Sequence, residues 1–119
     1  MTRKIIEARG YRLEFEFEAP LLQARVIGGV DTGLAVSSEY WLHICEEVQA
    51  CGARQLLVLD AMQGEVMTHE ELERFFEVIA GRGLEHVRLA YVEGRADQVP
   101  RIEYAELMAR ERGYDIRMF

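Results

Sequence analysis

The stretch GGVDTGLAVSSEYW, residues 28–41, holds the residue types with the most chemical promise. Asp31-Thr32-Gly33 is a triplet in which two aspartates, one from each of two copies, can share a proton and activate water. The glycines at 28, 29 and 33 stand between an apolar run and a helix-like run, as in loops whose backbone N–H groups cradle a phosphate. Neither chemistry fits its surroundings. In retroviral-type aspartic proteases, which this triplet resembles, it normally sits in an all-β fold with an apolar run directly before the aspartate, whereas here Gly28 and Gly29 interrupt that run and helical patterns follow. Neither G-x-G-x-x-G nor G-x-x-x-x-G-K-[ST] occurs, and no lysine follows. What remains is a turn: the glycines permit positive φ as a strand ends, and Asp31 and Thr32 cap the bend.

The other reactive side chains are scattered. His43, His69 and His86 fall on a helix, on the first turn of another and at a strand start, and no H-E-x-x-H or G-x-S-x-G motif occurs. His69 and Glu73, one turn apart in HEELE, have a spacing that suits a metal or a solvated face alike. Cys45 and Cys51 lie six apart on one helix, about 9 Å along its axis and about 600° around it, too far for a disulfide unless the helix unwinds. They read as two buried or half-buried free thiols. No catalytic, metal-binding or cofactor-binding residue is therefore assigned. The most informative loop is DAMQGEVMTHEE, residues 60–71: Asp60 ends an apolar strand, Gly64 sits in a bend and Thr68 opens a helix. Ligands and partners of open α/β sheets gather outside the carboxyl ends of parallel strands, so Asp60, Gly64 and Thr68 are the candidate partner or phosphorylation site.

The elements that must position these residues follow from periodicity. YRLEFEF alternates Tyr11, Leu13, Phe15 and Phe17 against Arg12, Glu14 and Glu16, the pattern of a half-buried strand. EAP breaks it, LLQARVIGGV reads as a second strand, and the short connection favours an antiparallel hairpin. From Ser37 or Ser38, a serine N-cap, the period becomes helical: Trp41, Ile44, Cys45 and Val48 form a stripe that stops at Gly52. QLLVLD is a continuous apolar run, as in central strands covered on both faces, which predicts that Leu57, Val58 and Leu59 are all buried. Thr68 with Glu71 matches a capping box, and Leu72, Phe75, Phe76 and Ile79 make the buried stripe of the helix it opens, which Gly81 or Gly83 ends. HVRLAYV is a strand, IEYAELMARERG a helix carrying Ile102, Ala105 and Met108 inward, and DIRMF a last short strand. Strands alternating with helices imply right-handed crossovers and a largely parallel sheet, mixed by its N-terminal hairpin, with helices packed on it. No linker or repeat divides residues 1–119, so one α/β domain is expected.

Composition bounds the partners. With 119 residues, 50% hydrophobic, the chain can bury a sizeable single core. A net charge of −7 opposes nonspecific attraction to nucleic acid or to anionic membrane. No apolar segment approaches the ~20 residues that cross a bilayer, and MTRKIIEARG lacks the apolar stretch of a signal peptide, so the cytoplasm is expected.

Five stretches together resemble the STAS-like domains (sulfate transporter and anti-sigma-factor antagonist), including their small stand-alone bacterial members: SSEYWLHICEEVQACGARQLLVLD, THEELERFFEVIAGRG, HVRLAYV, ELMARERG and DIRMF. The resemblance covers about the last four-fifths of the chain and implies a binding module that recognises a protein partner, with a homodimer left open. Antagonists of that family carry a phosphorylatable Ser or Thr in an Asp-Ser-Ser-Gly-like motif at the start of the helix after the central strand. Here that place reads VMTHEE, with Thr68 at the acceptor position but without the motif, and Glu65, Glu70 and Glu71 would repel a phosphate. Thr68 is therefore expected to act as a helix cap alone. The expectation is a non-enzymatic cytoplasmic interaction and regulatory domain. The alternative is a small-molecule or lipid-binding domain, or an enzyme of another kind, with Tyr40, Trp41, Phe75, Phe76 and Tyr91 lining a pocket between sheet and helices.

Overall fold

The computed structural model describes residues 2–29, 33–64 and 67–119. The chain runs β1 (Thr2–Ala8), β2 (Tyr11–Glu18), β3 (Leu21–Gly28), α1 (Leu34–Cys51), β4 (Gln55–Met62), α2 (His69–Ile79), β5 (Arg88–Glu93), α3 (Val99–Glu111) and β6 (Asp115–Met118), with short 3₁₀ turns at Leu84–His86 and Ala96–Gln98. The strands lie side by side in sequence order in one six-stranded sheet. β1, β2 and β3 pair antiparallel, and β3 to β6 pair parallel.

That monotonic order decides where the helices go. Crossovers between parallel strands are right-handed, and three of them advancing in one direction place α1, α2 and α3 on the same face. The buried side chains agree: Leu13, Leu22, Val26, Leu56, Val58, Leu89 and Ile116 point toward Trp41, Ile44, Phe75, Phe76 and Ile102 in one core. The parallel part never reverses, so the sheet lacks the switch-point crevice in which doubly wound folds hold their ligands.

The single helical layer overturns one expectation. Val58 is fully buried, but Leu57 and Leu59, which alternate with it, are only half-buried. The apolar run of β4 serves the core with one set of side chains and, among the described residues, meets no second layer with the other.

Two boundaries also differ. The predicted hairpin of β2 and β3 gains an edge strand, β1, in which Ile5 and Ile6 break the alternation that would have announced it. Helix α1 starts at Leu34 with Gly33 as its N-cap, so Ser37 and Ser38 lie within the helix and neither caps it. The reason is tertiary: the Leu34 N–H donates to a Glu71 carboxylate oxygen at 3.2 Å, which supplies the cap from α2. The turn residues 30–32, with the proposed Asp31 and Thr32 cap, lie outside the described residues. Of the flanking glycines only Gly28 takes the expected positive φ, 135°; Gly33 has φ −63°, and Gly29 is required instead by space, since a Cβ there would meet the Gly10 carbonyl oxygen at 2.4 Å. The cysteines are free, Cys45 buried and Cys51 half-buried. Burial pushes the Cys45 thiol up to about 11, which leaves it unreactive.

Candidate functional site

Asp60 has the strand parity of Leu56 and Val58, so at the carboxyl end of β4 its side chain turns into the core. On β5, Glu93 shares the parity of Leu89 and Tyr91 and turns in beside it. Both side chains are fully shielded from solvent, and Arg95, 11% exposed, lies across them. Its Nη2 donates to Asp60 Oδ2 at 2.9 Å and to Glu93 Oε2 at 2.9 Å, and its Nε donates to Glu93 Oε1 at 2.6 Å. The Tyr91 hydroxyl donates to Asp60 Oδ2, and the Met62 N–H donates to Asp60 Oδ1 at 2.8 Å.

Two carboxylates facing one guanidinium leave a buried excess of negative charge. Burial and the neighbouring Glu93 hold the Asp60 carboxyl above the ordinary carboxylate range, although Tyr91, Met62 and Arg95 pull it down. Burial, with the same carboxylates close by, raises the phenols of Tyr40 and Tyr91. All four oxygens of the two carboxyl groups are engaged by donors of the chain itself. An acid–base catalyst must instead reach a substrate proton. What the cluster does is tie the loops together: Arg95 Nη1 donates to the Gly64 carbonyl at 3.3 Å, and the Gly94 N–H donates to the Asp60 carbonyl at 3.0 Å.

Of the three residues singled out in the sequence, Arg95 thus joins Asp60 and Gly64, whereas Thr68 stands apart on the surface. Thr68 completes the predicted capping box: its Oγ1 accepts the Glu71 N–H at 3.2 Å, and its own N–H donates to Glu71 Oε1 at 3.0 Å. Thr68→Ala is expected to cost about 0.5–2 kcal/mol in urea denaturation while the fold is kept. His69 stacks on Tyr104, ring centroids 3.8 Å apart. Among the described residues no three His, Cys, Asp or Glu side chains converge as metal ligands would.

Sequence reasoning missed Glu93 and Arg95. The available signal was parity: a charged residue in the inward set of an apolar strand needs a partner, and EGR places an arginine two residues on.

A cavity of about 70 Å³ adjoins the cluster between the sheet and the helices, and Tyr40, Trp41, Phe75, Phe76 and Tyr91 all line it. The rings belong to the core as well: Trp41 stacks on Tyr91 at 6.1 Å and meets Phe75 edge-on at 6.0 Å. The volume is about half that of a cavity able to admit benzene, and far below the ~300 Å³ at which ligand pockets begin.

The opposite, helix-free face of the sheet is a larger feature. Ile27, Leu57, Leu59 and Ala90 lie half-buried along it, with Val92 36% and Phe119 65% exposed. Compared with known proteins, the chain matches no family model and no curated protein. No helix among the described residues is long and apolar enough to cross a membrane.

Proposed function

We propose that this chain is a non-catalytic, cytoplasmic protein-interaction domain with a regulatory role, and that its partner docks on the helix-free face of the sheet. The observation that carries the reading is the half-burial of Leu57 and Leu59 on the central strand. A strand flanked on both sides by others, with apolar residues at the four successive positions from Leu56 to Leu59 and again at Ala61 after Asp60, is the pattern of a sheet covered twice. The described residues supply one cover only. Fully burying a leucine stabilises by about 1.5–3 kcal/mol, so the free face holds a substantial reserve of binding energy. Contiguous apolar surface of this kind on a soluble domain marks interaction sites.

The buried cluster supports the same reading from the other side, because its carboxylates are spent on joining loops. The small-ligand alternative needs a cavity several times larger than the one beside Trp41. The likeness of the helices and strands to anti-sigma-factor antagonists supports a regulatory role for the interaction. Thr68 is a cap in this reading, not a switch.

Affinity capture from native-cell lysate checks the proposal, with wild type and Leu59→Arg compared as baits. A protein recovered by the wild type and lost with the variant is the expected result. Equal recovery by both baits would place the interaction elsewhere and end this reading.

A further inference from the structure

We propose, on the strength of the interaction reading above, that the open sheet face is covered by a second copy of the chain, packed face to face about a twofold axis along β4. The distribution of charge on this face carries the assignment. Over β1 and β2 it presents Glu7, Glu14, Glu16 and Glu18 against Arg3 and Arg12, a net negative flank. Beyond β4, over β5 and β6, it presents Arg88 and Arg117 against Asp115, a net positive flank, while the side that holds β1 to β3 stays net negative with Arg25 included. Leu57, Leu59, Ala90 and Val92 lie between the outer charges. A uniformly acidic or basic partner would be repelled by one flank. A twofold-related copy presents the opposite flank to each, as an isologous interface requires.

The register makes the complementarity specific. Glu16, Gln23, Leu57, Ala90 and Arg117 form one row across the sheet. Glu16 lies two strands to one side of Leu57 and Arg117 two strands to the other. Rotation about β4 therefore sets Leu57 over Leu57 and brings Glu16 opposite Arg117 of the second copy, twice. Arg117 makes no ion pair among the described residues, and Glu16, which holds Arg3 at 3.1 Å within its own chain, would share its carboxylate between the two guanidinium groups. Aligned sheets pack about 10 Å apart at about −30°, a gap and an offset that glutamate and arginine side chains can span.

Size sets the strength. Five overlapping strands, about 4.8 Å apart and about seven residues long, give a projected face of about 450 Å² per copy. A pleated, side-chain-covered surface exceeds its projection, which brings the contact to the lower end of specific interfaces, about 600 Å² per partner. A contact of that size suits a dimer in exchange with its monomer.

Sedimentation equilibrium of the full chain over a hundredfold concentration range tests this. The weight-average mass should climb from 13.7 kDa toward twice that value. Leu59→Arg and the more exposed Val92→Arg should stay at the monomer mass with unchanged circular dichroism. Arg117→Glu and Glu16→Arg should each weaken the dimer by about tenfold, and combining them should restore it. A wild type that stays monomeric, a dimer indifferent to both apolar variants, or charge reversals that fail to rescue each other would overturn the proposal. A monomeric chain that still captures a different protein through Leu59 would remove the second copy alone. The absence of any Leu59-dependent association would remove the interaction reading with it.

Discussion

Arg95→Leu is expected to lower folding stability by about 3–5 kcal/mol, a large share of what a domain of this size possesses. The guanidinium is the only cation that contacts the shielded carboxyl groups of Asp60 and Glu93 among the described residues. Its removal strands two like charges in a water-poor site. The pH dependence separates this cause from lost packing. Burial places the Asp60 carboxyl above its ordinary range, so the folded chain binds that proton more tightly than the unfolded chain. The resulting stability is fully present below the unfolded value near ~4 and is lost as pH rises through the folded value. Without Arg95 that loss steepens. Urea titrations of the variant should therefore show stability recovering as pH is lowered from neutrality toward about 5. Adding Asp60→Asn and Glu93→Gln should recover much of the loss at neutral pH, because neutral groups tolerate burial better than unpaired charges. A cost below about 1 kcal/mol with no pH dependence would mean that the three groups are not a coupled buried cluster.

This cluster also marks where the sequence stops being legible. Asp60 was visible as an acid at a strand end, but its partner lies 35 residues on, beyond a helix and another strand. Local spacing carries no trace of such a pairing. Where both halves of an interaction are local, reading succeeded: Thr68 and Glu71 are three residues apart and form the predicted box, and Gly52 takes the left-handed conformation, φ 69°, expected at a helix end. The start of α1 was misplaced for the opposite reason, since Ser37 and Ser38 look like local caps while the real one comes from another helix. β4 teaches a different point. Apolar periodicity reports which side chains avoid water, not what covers them, so a strand with one face for its own core and one for a neighbour reads the same as a strand buried within its own domain.

Glu71→Ala should cost about 2 kcal/mol, the upper end of the range expected for Thr68→Ala, because one carboxylate serves two helices. Oε1 accepts the Thr68 N–H at 3.0 Å at the head of α2, and Oε2 accepts the Leu34 N–H at 3.2 Å at the head of α1. Each bond satisfies a backbone donor that helix geometry leaves without an intrahelical partner, and each sets a negative charge at the positive end of a helix. The Thr68 N–H, followed by the Leu34 N–H and the Thr68 hydroxyl, holds the Glu71 carboxyl below its ordinary range against a smaller opposing effect of desolvation. A depressed carboxyl contributes stability above its unfolded value and loses it as pH falls through the folded value. Wild type and Glu71→Ala should therefore differ at neutral pH and converge as pH falls through the depressed folded value of the carboxyl, the reverse of the slope that Asp60 imposes. Glu71→Gln keeps an acceptor without the charge and should fall between the two. Hydrogen exchange at the Leu34 and Thr68 amides should accelerate together in Glu71→Ala, since both depend on the same side chain. Acceleration at Thr68 alone would show that α1 is capped by some other group.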